Sequence, residues 1–472
     1  MIFNSLIFFI FLPISFLVYA LLKGNTKAQN FWLLVCSYYF YGYWDWRFLS
    51  LIAFSTVVDF IAGQKIQHSE NEKTRKGFFY LSLATNLGLL GFFKYFNFFV
   101  ESTEIALQNL GLEINTWTLN IILPVGISFY TFQTLSYTID IYRKRIIPTN
   151  DFIAFAAFVS FFPQLVAGPI ERASHLLPQF LKPRYLSFDQ FSLGSKIFLW
   201  GLFKKVVVAD NLAPYVDIVF ENQEIYGGLV NIIAIVFFAF QIYCDFSGYS
   251  NMAIGLAKMF GFDLMQNFNV PYFATTLKTF WQKWHISLST WFRDYVYIPL
   301  GGNRAGKARM YINLCITFLV SGFWHGANWT FVIWGAIHGL FFIVEGVLIG
   351  GDRDTWIKQF LGLLTTFTVV CFAWIFFRAR DFTHAIEFVQ NSFSLDYTHV
   401  LKPYRLVVAF LGISMLVVFD YLKKNKTAKA LYTKYTAVRW SFLYVLIFMI
   451  TSYFRGSFVI GLLAIKIFEL EL

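Results

Sequence analysis

Seven histidines are the residues of this chain best suited to moving a proton at neutral pH: His68, His175, His285, His325, His338, His384 and His399. An imidazole titrates near pH 6.5 and can both take a proton from a hydroxyl and return it to a leaving group. Neighbours sort them. His68 lies in the charged run Gln67-His-Ser-Glu-Asn-Glu-Lys73, and His384 and His399 lie in the polar 380–404 connection, so all three are expected to be solvated. His325 differs, because it sits in Ser321-Gly-Phe-Trp-His-Gly-Ala-Asn-Trp-Thr330, in an apolar region with no acidic residue between Asp294 and Glu345. A polar side chain at that depth is a functional candidate by default, and Asn328 is a second one in the same segment. A core histidine bonded to a neighbouring carbonyl is the plainer reading of the same position.

His338, in Trp334-Gly-Ala-Ile-His-Gly339, is a natural partner to test. On one continuous helix it would stand about 20 Å along the axis from His325 and about 140° around it. The two therefore share a reacting centre only if the helix breaks. Gly335 and Gly339 suit close helix packing, so His338 is expected to pack and hydrogen-bond, supporting the site rather than reacting. His285 comes from a separate element and is the better geometric partner. A second polar constellation, Gln241-Ile-Tyr-Cys-Asp-Phe-Ser-Gly-Tyr-Ser-Asn251, puts Gln241 and Asp245 on one helical face. A carboxylate near the bilayer centre costs about 2.5–3.5 kcal/mol on insertion scales, so Asp245 is expected either to pair with a cation such as Lys204 or Lys205 or to take part in chemistry.

These groups need a membrane to hold them. The hydrophobic fraction is 57%, charged residues are only 14%, and Phe fills 60 of 472 positions, more apolar surface than a water-soluble domain can hide. Runs at Phe8–Leu22, Phe78–Val100, Leu229–Ile242, Phe331–Ile349, Leu361–Phe377 and Leu406–Phe419 approach or reach the roughly 20 residues of a crossing helix, and the pattern as a whole predicts about ten to twelve spans. The first run lacks a basic n-region and a small-residue cleavage site, so it is expected to stay as an anchor. The net charge of +11 sits in short loops beside the spans, which argues for positive-inside bias and against nucleic acid as a partner. Lys65–Lys76 and Arg143-Lys-Arg145 are thereby placed on the cytoplasmic side, with the Trp44–Arg47 and Glu101–Thr118 connections and the N-terminus outside.

Cys36, Cys244, Cys315 and Cys371 are scattered singly, the pattern of packed thiols and not of a metal site. No linker or repeat divides the chain, so residues 1–472 read as one membrane domain. In residues 150–310 Pro, Gly and charge interrupt the apolar runs, and such backbone survives at membrane depth only when buried or lining a wet cavity. Residues 276–298 place Leu277, Trp281, Trp284, Leu288, Trp291, Phe292 and Tyr295 on one stripe, which predicts one amphipathic helix lying in the interface.

Taken together, Trp284-His285-Ile-Ser-Leu-Ser289, Trp291-Phe-Arg-Asp-Tyr295 and Gly322-Phe-Trp-His325-Gly326 closely resemble the two histidine motifs of bacterial membrane-bound O-acyltransferases. The alginate O-acetylation branch is the nearest and the teichoic acid D-alanyl transfer proteins are more distant. Phe162-Pro-Gln-Leu-Val-Ala-Gly-Pro-Ile170, Gln241–Asn251, Ala253-Ile-Gly-Leu256 and the opening Met1-Ile-Phe-Asn-Ser-Leu extend the likeness, which is densest over residues 120–345. The resemblance implies an all-α polytopic fold, a bowl of tilted helices with interfacial and re-entrant elements around a central channel. It implies catalytic roles for His325 and His285, no bound cofactor, and acyl-CoA or an acyl carrier protein as the donor. It further implies residence in the cell inner membrane among membrane lipid, with an extracytoplasmic acetyltransferase or polysaccharide-modifying protein as partner. Two rivals stay open on the residues alone: a transporter or export channel whose buried polar groups line a path, and a non-catalytic scaffold.

Overall fold

The computed structural model describes residues 1–112, 118–304, 306–348, 355–394, 403–425 and 436–453. Every regular element among them is helical. Among the described residues four helical stretches are long and apolar enough to cross a bilayer: Thr26–His68, Leu229–Met259, Trp329–Val347 and Trp356–Arg378. Leu6–Leu21, Phe152–Leu165 and Leu443–Tyr453 are shorter apolar helices. The starts follow local chemistry. Ser5 accepts a hydrogen bond from the amide of Phe8, and Asn25 from that of Ala28, each filling an orphan donor of a first turn. At Asp45 the carboxylate accepts from the amide of Arg47 and turns the chain through Trp46–Phe48 into the helix Leu49–His68, at the connection expected outside. Arg75 donates to the carbonyls of Ile66 and Tyr142, which brings the two basic segments expected on the cytoplasmic side to one end of the molecule.

Outward faces of these helices carry Leu17, Leu21, Phe54, Leu340 and Phe448, all exposed, as lipid-facing residues are. The polar groups are inside. Asp59 accepts from Ser82 Oγ at 2.5 Å and from Asn86 Nδ2 at 2.9 and 3.0 Å, and Thr134 donates to Asn86 Oδ1 at 2.9 Å. This ties Leu49–His68, Glu72–Leu90 and Ile127–Tyr142 together by hydrogen bonds, which hold where a hydrophobic driving force between helices is absent.

The 31-residue helix Leu229–Met259 is the central post. It crosses the helix Phe188–Phe203 backbone to backbone: a Cβ on Gly201 would meet the carbonyl oxygen of Gly248 at 2.5 Å, and one on Gly194 would meet that of Gly255 at 2.6 Å. Both pairs are seven residues apart, so the glycines of each helix lie on one face. Among the described residues three π-helical turns, Gly91–Tyr95, Lys204–Ala209 and Arg293–Tyr297, interrupt other helices, and each carries at least one basic residue. Such bulges concentrate at functional sites.

Three sequence expectations change. Residues 276–298 are not one surface helix. Helix Leu277–Trp281 ends, the chain turns at His285 with φ 44° and ψ 55°, and helix Ile286–Phe292 follows. Trp284, Leu288, Trp291 and Phe292 are buried in the protein, so the stripe packs against neighbouring helices where an interfacial helix would meet lipid. Second, His384 is buried, its Nε2 2.9 Å from the Phe220 carbonyl and its Nδ1 accepting from the Arg380 amide, because the Phe382–Asn391 helix folds back on Phe220. Third, the chain between His325 and His338 is broken. The helix Lys307–His325 stops, Gly326 is extended, and Trp329–Leu348 runs back against it. His68 is exposed as expected; His399 lies outside the described residues.

Candidate active site

Two helix ends meet one cavity. His325 is the last residue of Lys307–His325, and the hairpin that follows is closed by glycines. A Cβ on Gly326 would lie 2.0 Å from the Phe331 ring, and one on Gly322 would lie 2.2 Å from the Phe331 carbonyl oxygen. The His325 ring sits among Trp324, Trp334 and Phe377 at centroid distances of 4.9, 5.1 and 5.3 Å. Its nitrogens make no hydrogen bond among the described residues, so the carbonyl-bonded core histidine considered for this position is not what the structure has.

His285 arrives from the other side. It is 1% exposed, and its Nδ1 lies 3.0 Å from Asn267 Oδ1. The same oxygen accepts from the amide of Ser287 at 3.4 Å and from Ser287 Oγ at 2.9 Å. An amide N–H can only donate, so this end of Asn267 is the carbonyl oxygen and His285 Nδ1 must carry the proton. In the neutral ring Nε2 is then a bare lone pair, and it has no protein partner among the described residues. The Asn267 side chain is held in turn by its donation to Ser250 Oγ at 3.0 Å, and Ser287 Oγ accepts from the amide of Ile170 at 3.0 Å. The motif around Ile170 and the motif around His285 therefore form one hydrogen-bonded unit.

The cavity between the two rings has a volume of ≈ 230 Å³ and is lined by Lys94, Ser128, Phe129, Ile242, Phe246, Trp284, His285, Trp324, His325, Trp374 and Phe377. Its lining is largely aromatic, and the Trp324 ring is backed by further rings outside the cavity. Trp291 stacks on Phe132 at 3.9 Å and donates from Nε1 to the Phe132 carbonyl, while Trp324 packs on the same Phe132 ring at 5.3 Å. Farther along that element Asp294 pairs with Arg172 at 2.5 Å and with Arg293 at 2.7 Å, anchoring the Trp291–Tyr295 motif to the chain after Ile170. Nearby, outside the spans, Glu171 accepts from the Met265 amide and pairs with the half-exposed His175 at 2.7 Å. That contact raises the His175 pKa above 6.5, while burial raises that of Glu171.

The other sequence candidates lie outside this cavity. Asp245 pairs with Lys205 at 2.6 Å, and Lys205 also holds Asp210 at 2.7 Å, so the expected cation partner is Lys205. Gln241 stands on the same face as Asp245, turned away from Ile242 and Phe246. Asn328 caps the helix that begins at Trp329, accepting from the Thr330 amide and donating to the Arg380 carbonyl. His338 is fully buried against Trp281 and Trp334, both at 4.9 Å, and neither ring nitrogen has a hydrogen-bond partner among the described residues, so it packs without the hydrogen bonds expected of it. Because the hairpin folds back, His325 and His338 both touch the Trp334 ring, a closeness that the continuous-helix spacing excluded.

Sequence reasoning missed Lys94, Ser128 and Asn267. Lys94 had a signal, being the lone charged residue inside the apolar run Phe78–Val100. Asn267 had none, since its loop reads as an ordinary polar connection.

The profile of the membrane-bound O-acyltransferase family matches residues 143–380. A probable alginate O-acetylase AlgI of Pseudomonas putida is 41% identical over 420 residues, 89% of this chain and 85% of that protein. The peptidoglycan O-acetyltransferase of Helicobacter pylori is 38% identical over 428 residues, 84% of this chain and 80% of that protein. More distant is the teichoic acid D-alanyltransferase of Bacillus subtilis, 27% identical over 292 residues, 56% of this chain and 71% of the relative.

Proposed function

Because the chain belongs to the membrane-bound O-acyltransferase family and is an acyltransferase of the membrane, we propose that it is an O-acetyltransferase of the cell inner membrane. It takes an acetyl group from a cytosolic thioester, acyl-CoA or an acyl carrier protein, and supplies it for acetylation of an extracytoplasmic polysaccharide such as alginate, together with an extracytoplasmic modifying partner. The transporter reading gives way to the acyl-transfer activities for which the relatives are named. The observation that carries the proposal is the placing of two unpaired imidazole groups, His325 and His285 Nε2, on one small aromatic cavity.

In this reading His325 accepts the proton of the attacking hydroxyl as its oxygen adds to the thioester carbonyl carbon. The carbonyl electron pair moves onto oxygen and returns as the carbon–sulfur bond breaks. The departing thiolate then takes the proton from His325, leaving an ester and a free thiol. His285 Nε2, able only to accept, holds a neighbouring hydroxyl of the acceptor and so fixes which oxygen attacks. Fixing two reactants in this way can supply much of the barrier reduction by itself, and the aromatic lining leaves few groups to hold a water that could hydrolyse the thioester.

The test is to quantify acetyl esters on the polysaccharides of cells carrying the gene, lacking it, and complemented with His325→Ala. Esters that vanish on deletion and return only with the wild-type gene support the proposal. Unchanged esters on every polysaccharide after deletion would overturn it.

A further inference from the structure

Three lysines sit deep among these helices, and they are treated differently. Lys204 is buried, donates to Ser247 Oγ at 3.2 Å and has the Asp420 carboxylate as its counter-charge. Lys205 is neutralised by Asp210 and Asp245. Lys94 meets only neutral groups among the described residues: it donates to the Trp324 carbonyl and to Ser128 Oγ, the latter at 3.3 Å, and lies 5.4 Å from the Trp324 ring centroid. It lines the cavity that holds His285 and His325. An ammonium has three N–H donors, and two are engaged, so one donor and an uncompensated positive charge are left at the cavity wall.

The chain is shaped to put it there. Lys94 lies in the π-helical turn Gly91–Tyr95, and the next residue, Tyr95, donates from its hydroxyl to the Phe323 carbonyl at 2.9 Å. Lys94 and Tyr95 thus grip consecutive carbonyls at the C-terminal end of the very helix that ends in His325. One cation is fixed beside the base, in a cavity lined mostly by apolar side chains.

We infer that Lys94 is a catalytic residue of the acyl transfer, its ammonium holding the negatively charged oxygen formed when the acceptor hydroxyl adds to the thioester carbonyl. The inference rests on the acyl-transfer reading above. As the C–O bond forms, the carbonyl π pair becomes the oxyanion lone pair beside Lys94. As the C–S bond breaks, that pair re-forms the carbonyl and the thiolate takes its proton from the histidine, so Lys94 gains and loses nothing. Donors fixed in advance at the point where charge develops in a water-poor site make the largest single contribution in many acyl transfers. The competing role is a helix cap, in which Lys94 merely positions the end of the His325 helix.

Lys94→Gln separates the two, since its amide still donates to the Trp324 carbonyl but carries no charge. In membranes that carry the full-length protein and its extracytoplasmic partner, given acetyl-coenzyme A and oligomers of the polysaccharide whose esters are lost on deletion, Lys94→Gln should lower kcat roughly 10²–10³-fold with both KM values and the thermal midpoint of the purified protein unchanged, and Lys94→Arg should recover much of the loss. Lys94→Gln turnover within threefold of wild type would overturn the inference and leave the acyl-transfer reading standing. So would a raised KM for the oligomer at undiminished kcat, which would make Lys94 a holder of acidic sugars. Absence of turnover in the wild type would overturn both. If Lys94→Gln does not fold, Lys94→Cys alkylated with 2-bromoethylamine restores the cation in the folded protein, and alkylation with iodoacetamide leaves it neutral. Activity only after the first treatment supports the inference; equal activity after both overturns it.

Discussion

His285 donates from Nδ1 to Asn267 Oδ1 at 3.0 Å, and that single contact decides which of its ring nitrogens is free to meet a substrate. Asn267→Ala leaves the imidazole present but lets both tautomers form and the ring turn. It should lower kcat by about tenfold or more, as loss of an orienting partner does for other positioned histidines. His285→Ala should cost at least as much, and the double variant should be little worse than His285→Ala, because groups acting as a unit are strongly non-additive. Independent, multiplying losses in steady-state kinetics would show that Asn267 does not act through His285.

His325→Ala should abolish acyl transfer while the protein still inserts and folds, a loss of about 10²–10⁴ in rate for a general base. Turnover and the detergent-solubilised melting point measured on the same preparation check this. A well-folded variant with near-normal ester formation would remove His325 from the mechanism.

His338→Ala should act on the fold instead. Its ring fills space against Trp281 and Trp334 in a fully buried position, so truncation leaves a cavity costing about 2–4 kcal/mol. The yield of folded protein should fall while kcat per folded molecule stays within a few fold. Full yield with no turnover would reverse the assignment.

Stability should fall as pH rises through the His175 titration. Its pKa is raised in the folded protein, first by the hydrogen bond to Glu171, so the contact contributes fully below the ordinary value of 6.5 and is lost as pH climbs through the higher folded value. Glu171 moves the same way, its pKa raised by burial, so it too binds its proton more tightly when folded. Melting points measured from pH 6 to 8.5 should decline, and His175→Gln should flatten the slope. An identical slope in the variant would mean that other groups set it.

Arg304 and Lys307 are exposed at the start of the helix that ends in His325, and both donors proposed above are anionic. Arg184 cannot contribute to such a face, being buried against Tyr19, Gln29 and Asn30, and Lys283 is half-buried. Reversing Arg304 and Lys307 together should slow donor association, with the deficit shrinking as salt rises because exposed charges are screened beyond about 8–10 Å at physiological ionic strength. A normally inserted variant with unchanged donor KM at low salt would rule this face out.

Much of the architecture was legible because lipid imposes a simple rule on each segment separately. The runs Leu229–Ile242 and Leu361–Phe377 reappear within the helices Leu229–Met259 and Trp356–Arg378, and Phe8–Leu22 overlaps all but the start of Leu6–Leu21 and ends on its C-cap. His285 and His325 stood out because their motifs are local. What stayed hidden depends on which distant segments meet. Lys94 and Trp324 are 230 residues apart, and no local pattern says that one holds the other. His384 was misread for the same reason, since the polar connection around it gives no sign that Phe220, brought over it by folding, takes it out of water. The turn at His285 was invisible to periodicity, because the apolar stripe continues on both sides of a left-handed residue.

The crossing of Phe188–Phe203 with Leu229–Met259 has a consequence for how this protein can change over time. At most protein interfaces an enlarged side chain on one element can be accommodated by a smaller one opposite. Here the atoms facing Gly194, Gly201, Gly248 and Gly255 are largely carbonyl oxygens and amide nitrogens, which no codon alters. A methyl group gained at Gly201 or Gly248 has no compensating partner substitution available, so those positions are fixed independently of one another, and the helix that presents Ile242 and Phe246 to the cavity keeps its place while the loops and the acceptor specificity around it are free to diverge.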